Sequence, residues 1–284
     1  MELVNKKIQM ASHSGAGIEV VNQDGEVSVV KTVVDNLDRA LIAAEKQRQF
    51  ENIWTPSFDI TSIPLTFESY PKSVVMKMPY VDGLSGETIA VQGNKATAEK
   101  IKIALNSYLI AIFSCSEEQV ISRSVFLDKV SEIKEKPLPE SVIDCVDRAC
   151  LWLEENCPET LNIPVGKCHG DLTMSNIILS SNELYLFDFL DSFVETPLQD
   201  VSKLIQDMKY GWSFRNESSS IRLKGMLFLS SAFPDFINTL SRVYEVEISI
   251  LNIITVLRIA PYISSNDDRT VEWLNQTLNR MLEN

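Results

Sequence analysis

Hydrophobic positions along the chain change period near residue 80. Before it, short Val-rich runs recur between turn residues: Ile18 to Val21 and Val27 to Val34 flank Asn22-Gln23-Asp24-Gly25, and Val74 to Met78 stops at Pro79. Runs bounded by such breakers predict strands, and Gly25 supplies the positive φ that a tight connection commonly needs, so the first two runs read as an antiparallel hairpin. Asn36 to Asn52 instead places Leu37, Leu41, Ala44 and Arg48 at helical spacing, which predicts one helix packed on that sheet. Pro79-Tyr80-Val81-Asp82-Gly83 reads as a linker.

After Gly83 the pattern is mainly helical. Ile101, Leu105, Tyr108, Leu109 and Ile112 share one face; Val142, Val146, Ala149 and Leu153 share another behind Pro139, which suits a first helical position. Val271, Leu274, Leu278 and Met281 repeat the pattern after Asn266, Asp267 and Asp268, polar and acidic residues suited to a helix start. The exception is Pro164 to Asp191, where short apolar runs alternate with polar clusters. The expected division is a small α+β unit over residues 1–78, a connection at 79–83, and a larger helical unit over 84–284.

Composition narrows the function classes. The chain has 284 residues, 45% hydrophobic and 23% charged, which fits a soluble globular protein of one large or two modest domains and excludes a disordered one. With 26 Lys+Arg against 39 Asp+Glu, the net charge of −13 argues against sequence-independent binding to nucleic acid or to an anionic membrane. That charge is unevenly spread: residues 1–78 hold 8 basic and 10 acidic residues, residues 79–284 hold 18 and 29. Five cysteines form no CxxC pair and read as reduced, mostly buried thiols. Glu2, Lys6 and Lys7 interrupt the first ten residues, and Asn252, Arg258 and Pro261 break the run Ile248 to Ile263, which falls short of the ~20 apolar residues that span a bilayer. Cytoplasm is the expected compartment, with no membrane partner.

The chemistry concentrates in the exceptional segment. Val165 to Asn176 leads into the apolar run Ile177-Ile178-Leu179, then Glu183 to Asp191. Two short strands there would flank a polar loop with Asp171 and Asn176 at its ends, and a hairpin would bring Asp188 to the same edge. Two carboxylates and an amide oxygen are hard donors of the kind magnesium takes together with phosphate and water.

His169-Gly170-Asp171, four residues, Asn176, and then Asp188-Phe189-Leu190-Asp191 resemble the catalytic and metal loops of the aminoglycoside phosphotransferase and choline kinase-like family. The resemblance implies an α+β, two-lobed protein-kinase-like fold: a nucleotide-binding N-lobe (1–78), a hinge (79–83) and a helical C-lobe (84–284). It also implies ATP and Mg2+, Asp171 as base or orienter of the acceptor hydroxyl, and Asn176 and Asp188 as metal ligands. His169 would brace the loop. Gly170 stands where protein kinases carry arginine, Leu190 replaces the glycine of Asp-Phe-Gly, and no Ala-Pro-Glu follows, which disfavours a protein kinase.

The amino-terminal part offers matching contacts. Ser14, Gly15 and Gly17 precede the first strand of the hairpin, where small residues let backbone N–H groups approach phosphate; an ordinary turn is the plain alternative. Lys31 lies on the strand face of Val27, Val29 and Val33, where a charge needs a partner. Nucleotide phosphate and Glu45 on the following helix are the partners implied; an edge-strand lysine and a solvated glutamate are the alternative. Met78 and Tyr80 would touch the adenine. Asp191 would support the metal site, and Asp200, after Pro197, reads as a helix-start or loop-bracing residue. Tyr210, Trp212 and Phe214 would line an acceptor pocket or pack in the core. Cys168 reads as a small buried residue.

The resulting expectation is an ATP-dependent phosphotransferase acting on a hydroxyl of a small molecule, such as an aminoglycoside, an amino alcohol or a sugar-like metabolite. The acidic helical part would favour a cationic acceptor through its field. A non-catalytic nucleotide-binding module of the same fold is the alternative.

Overall fold

The structure, a computed structural model, describes residues 8–10, 16–264 and 266–283, the first three by their backbone alone. Ser14 and Gly15 lie outside the described residues. The chain runs through β1 (Ile8–Met10), β2 (Gly17–Gln23), β3 (Glu26–Val33), α1 (Leu37–Arg48), β4 (Asp59–Ser62), β5 (Thr66–Tyr70) and β6 (Ser73–Pro79). Strands β1, β2, β3, β6 and β5 lie side by side in that order as an antiparallel sheet. The expected hairpin is β2–β3; Gly25 has φ +89° and its N–H donates to Asn22 Oδ1 at 3.2 Å.

Helix α1 buries Ala40, Ala43, Ala44 and Gln47, small residues that let it lie close to the sheet. It ends at Arg48, short of Asn52, because the chain there turns to pair Ile53 with Ile60 through two 2.9 Å backbone hydrogen bonds. Ala40, Ala44, Ile63, Leu65, Val74, Met76 and Met78 form a small apolar core of their own.

The rest of the chain builds a second, larger core. It comprises β7 (Leu84–Ser85), α2 (Gly86–Gln92), α3 (Lys95–Ser114), β8 (Glu117–Ser122), α4 (Arg123–Lys134), α5 (Glu140–Asn156), β9 (Thr160–Val165), β10 (Ile177–Ser180) and β11 (Glu183–Leu186). Then follow α6 (Pro197–Leu204), continued by a π-helical turn (Ile205–Lys209), α7 (Ser219–Ala232), α8 (Phe236–Val243), α9 (Glu245–Leu257) and α10 (Asp268–Leu282). Pro139 caps α5 from outside with extended ψ, and Asp267 caps α10 by accepting from the Thr270 N–H at 3.0 Å.

Two features depart from the helical reading after Gly83. Strands β8 and β9 pair antiparallel, yet Glu117 to Val120 are all exposed, so no alternating pattern marks β8. The second sheet, in the order β4-β11-β10-β7, takes its β4 from before residue 78 and pairs it parallel to β11. Phe58 and Ile60 accordingly belong to the larger core. No helix among the described residues is long and apolar enough to cross a membrane. All five cysteines are free, and all but Cys115 are buried.

Candidate active site

Strand β9 delivers the chain to the polar loop, which closes in a 3-10 turn at Met174–Asn176. The hairpin β10–β11 then returns it, and the Phe187 N–H donates to the Asn176 carbonyl at 3.3 Å. Asp171, Asn176 and Asp188 are thereby gathered at one edge, as the spacing predicts. Asn176 uses its amide N–H groups on Asp171, at 2.8 Å to the backbone oxygen and 3.0 Å to Oδ2. Gly170 has φ +85°, and a Cβ on it would stand 2.5 Å from the Leu190 carbonyl oxygen and 2.8 Å from Ser192 Oγ. No larger residue fits there, which accounts for glycine between His169 and Asp171.

The loop rests on one face of α6 and its π-helical extension. Asp200, Lys203 and Asp207 follow each other at i, i+3 and i+7, charged positions in a helix otherwise buried through Leu198, Val201, Leu204 and Met208. Asp200 accepts from the backbone N–H groups of His169 at 2.8 Å and Gly170 at 2.7 Å, and from the Tyr108 hydroxyl at 2.7 Å. Burial pushes its carboxyl up to about 6 against those bonds. Asp207 accepts from Met174 N at 2.6 Å and Ser213 N at 2.8 Å, and burial raises it too. Between them, Lys203 Nζ meets Asp171 Oδ1 at 2.9 Å. Burial would raise Asp171, but the Lys203 ammonium outweighs it and holds the carboxyl below its usual range. Sequence reasoning placed Asp200 as a brace and missed Lys203 and Asp207; three charges on one face of an apolar helix were the available signal.

His169 ties the two loops together. Its Nδ1 accepts from the Asp171 N–H at 3.2 Å, so its Nε2–H is the donor to the Phe187 carbonyl at 3.0 Å. The ring stacks on Phe189 with centroids 4.1 Å apart. Fully buried, it is pushed down to about 4 by desolvation and is neutral near pH 7. It positions Asp171 and cannot itself serve as an acid there.

Lys31 Nζ lies 2.5 Å from Asp188 Oδ1. Asp188 is one of the described non-glycine residues with positive φ, at 60°, a conformation held by its neighbours. The Lys31–Glu45 pair is not formed: Glu45 is held by Arg48 at 2.7 Å and by Gln49 on the outer side of α1. The physical reason is helix phase, because the next two residues take the inward positions. Lys46 Nζ reaches Leu190 O at 2.6 Å and Glu195 at 2.9 Å, and Gln47 Oε1 accepts from the Asp188 N–H at 3.0 Å. Arg39, also on α1, approaches Asp191 at 3.6 Å.

The remaining predicted positions sort by contact. Met78 is buried, with Gln47 Nε2 3.3 Å from its sulfur. Tyr80 is exposed, but its N–H already donates to Val27 O at 3.0 Å, so it is not a free donor for a base edge. Gly17 begins β2 with open space where a Cβ would stand. Trp212 packs on Trp273 and under Arg215, Phe214 is buried beside Gly225, and the Tyr210 carbonyl accepts from Trp273 Nε1 at 2.7 Å; this is packing of the segment after the π-helical turn against α7 and α10. Cys168 is buried and its thiol is pushed up by desolvation, so it is no nucleophile.

The donor set suits a hard cation shared with phosphates. With both amide hydrogens of Asn176 spent on Asp171, its Oδ1 is left as a free acceptor, and Asp188 Oδ2 has no protein partner among the described residues. Among the described residues no group of three or more His, Cys, Asp or Glu side chains gathers to hold a metal. An amide oxygen and a carboxylate are what magnesium takes when substrate phosphates complete its shell.

Comparison with known proteins bears on the family and the fold. A sequence model of the phosphotransferase enzyme family matches residues 123–224, the stretch from α4 through the polar loop and the β10–β11 hairpin into α7. No curated protein matches the sequence. An apo thermostable mutant of aminoglycoside phosphotransferase APH(4)-Ia superposes with a TM-score of 0.61 at 11% identity, covering 98% of this chain and 94% of that one. Spectinomycin phosphotransferase APH(9)-Ia, bound to ADP and spectinomycin, gives 0.52 at 11% identity over 98% and 92%. Amicoumacin kinase hAmiN, in complex with AMP-PNP, Ca2+ and Ami, gives 0.52 at 11% identity over 98% and 88%. At such identities the likeness to the solved structures is one of fold. By the matched segment, residues 123–224, and by its protein-kinase-like fold, this chain resembles the phosphotransferase enzyme family of small-molecule kinases.

Proposed function

We propose that the protein transfers the γ-phosphoryl group of ATP to a hydroxyl of a small molecule, with magnesium. The observation that carries this reading is one connected set of contacts: Lys31 on Asp188, Phe187 on Asn176, Asn176 on Asp171, and Asp171 on Lys203. On this reading Lys31 is the cation for the nucleotide, Asn176 and Asp188 supply two oxygen donors for a metal, and Asp171 is the carboxylate for the acceptor hydroxyl, joined in sequence by these contacts. Magnesium bound by Asn176 and Asp188 would neutralise phosphate charge. Lys31 would release Asp188 and take a phosphate oxygen. Asp171, kept ionised by Lys203, would accept the hydroxyl's hydrogen bond and aim its oxygen at the phosphorus. Phosphoryl transfer through a loose transition state asks mainly for alignment, so a carboxylate of low basicity is adequate.

The test is an Asp171→Ala variant assayed with a panel of hydroxyl compounds by ADP formation. It should bind ATP as the wild type does and lose at least ~10²-fold in turnover. Near-normal turnover would remove Asp171 from the reaction, and ATP binding without transfer to any acceptor or to water would favour a non-catalytic module.

A further inference from the structure

We propose that Gln47 is a positioning residue for the metal site: with His169 it locks the Phe187–Asp188 peptide in the orientation from which Asp188 presents its carboxylate to magnesium. The inference rests on the phosphotransferase reading and adds to it a residue that acts only through Asp188.

Both polar groups of that one peptide bond are held by side chains from opposite sides. The Phe187 carbonyl accepts from His169 Nε2 at 3.0 Å, and the Asp188 N–H donates to Gln47 Oε1 at 3.0 Å. The two side chains are buried, His169 in the polar loop and Gln47 in the last turn of α1. Asp188 has φ 60°, a conformation that residues other than glycine seldom take. Half a turn of this peptide would carry φ into the ordinary negative region while leaving the neighbouring Cα atoms nearly in place. It would also set the Phe187 carbonyl against Gln47 Oε1 and the Asp188 N–H against His169 Nε2–H, two repulsive pairs in place of two hydrogen bonds. The unusual φ is kept by these two bonds.

Gln47 is itself fixed at its other end. Its Nε2 donates to the Ile63 carbonyl at 2.9 Å, and the Ile63 N–H donates to the carbonyl of Leu186, the last residue of β11, at 2.9 Å. An amide offers an acceptor and a donor together, so turning it over would lose both bonds. The residue before it grips the far side of the same loop: Lys46 Nζ lies 2.6 Å from Leu190 O and 2.9 Å from Glu195, whose Oε1 accepts from the Ser192 N–H at 3.1 Å. Lys31 also holds Asp188, but through Oδ1, the contact that a phosphate oxygen would take over. The backbone bond to Gln47 is the one that stays when nucleotide and metal enter. Partners standing behind a metal ligand set its orientation, and through it the affinity for the ion.

The test sets Gln47→Met, which keeps the reach of the side chain and removes both amide bonds, beside Ser62→Ala. The latter deletes the 3.0 Å bond from Ser62 Oγ to the Gln47 carbonyl, so it loosens the same end of α1 without touching Asp188. One readout needs no turnover: ATP alone should raise the Tm of both variants as much as that of the wild type, while the further rise on adding magnesium should shrink in Gln47→Met and survive in Ser62→Ala. In ADP formation at fixed, saturating ATP, the half-saturating magnesium concentration should rise at least ~10-fold in Gln47→Met and stay within ~3-fold of the wild type in Ser62→Ala. Excess magnesium should restore most of the turnover of Gln47→Met, because the Asp188 carboxylate is intact and only its aim is loosened. A third readout uses the wild type alone: in the protein without nucleotide, the Asp188 amide hydrogen should exchange at least ~10²-fold more slowly than in an unfolded chain. Rapid exchange there overturns the proposal. So does an unchanged magnesium requirement in Gln47→Met, and so does an equal loss in Ser62→Ala, which would make the effect one of helix stability. A wild type that fails to bind ATP, or gains nothing from magnesium, sinks the phosphotransferase reading instead.

Discussion

Nζ of Lys203 lies 2.9 Å from Oδ1 of Asp171, so a cation from α6 is seated on the carboxylate proposed to orient the acceptor. Burial alone would raise Asp171, and Lys203 reverses the sign. In Lys203→Met burial is opposed only by His169 and the Asn176 hydrogen bond, and Asp171 titrates at higher pH. The acidic limb of the kcat profile should therefore move upward, with kcat at neutral pH lower by roughly 10²-fold and ATP affinity retained. Breaking a half-buried pair from one side should also cost about 3 kcal/mol of stability. A pH–rate profile with an unmoved acidic limb would deny Lys203 this role.

Asp200 carries a prediction whose size depends on pH. Its carboxyl is raised from the usual 3.8 to about 6, so the stabilising contribution of the protonated form is complete below about 4 and is lost as pH rises through 6. Asp200→Asn has no such dependence. Its one oxygen cannot serve the His169, Gly170 and Tyr108 donors together, so the catalytic loop loosens and activity falls at every pH. Denaturation at pH 8 and pH 5 should show the variant's deficit growing by about 1 kcal/mol at the lower pH. An equal deficit at both would mean that Asp200 titrates normally.

How much of this was legible in the sequence depends on how far each contact reaches along the chain. Asp171, Asn176 and Asp188 could be placed because a loop and a hairpin join them, and Lys31 because a charge on an apolar strand face demands a partner. Glu45 could not be separated from Lys46 and Gln47, since the groups that choose among them, Glu195 and the Asp188 N–H, lie far along the chain. Strand β8 was invisible for a different reason: its exposed residues bury no face and leave no period. Lys203 and Asp207 were legible in principle as charges inside an apolar helix.

The Lys31–Asp188 contact makes a prediction about nucleotide binding. The Asp188 side chain is 41% exposed, so the pair contributes under ~1 kcal/mol and its loss should barely change the Tm of the free protein. Asparagine tolerates the φ of 60° that Asp188 adopts, so Asp188→Asn should fold. It lacks the charge that magnesium needs. In the wild type, ATP with magnesium should raise Tm more than ATP alone; in Asp188→Asn the two shifts should coincide. A persisting magnesium increment would take Asp188 out of the metal site.

His169 opposes Asp200 in the dependence of stability on pH. Its folded-state value is lowered from 6.5 to about 4, so the stability it contributes is complete above about 6.5 and is lost as pH falls, because the unfolded chain takes up a proton that the buried ring refuses. Between pH 8 and pH 5 that loss is about 2 kcal/mol, while Asp200 gains about 1 over the same interval. The two partly cancel, leaving the wild type a net loss of about 1 kcal/mol from these groups across that range. His169→Gln removes one side of the balance. It should be less stable than the wild type at pH 8, where the Phe187 and Asp171 contacts are weakened, and close much of that gap at pH 5. Chemical denaturation at the two pH values checks the sign directly: a gap that widens on acidification would mean that His169 is charged in the folded protein, with its Nδ1 unable to accept from the Asp171 N–H.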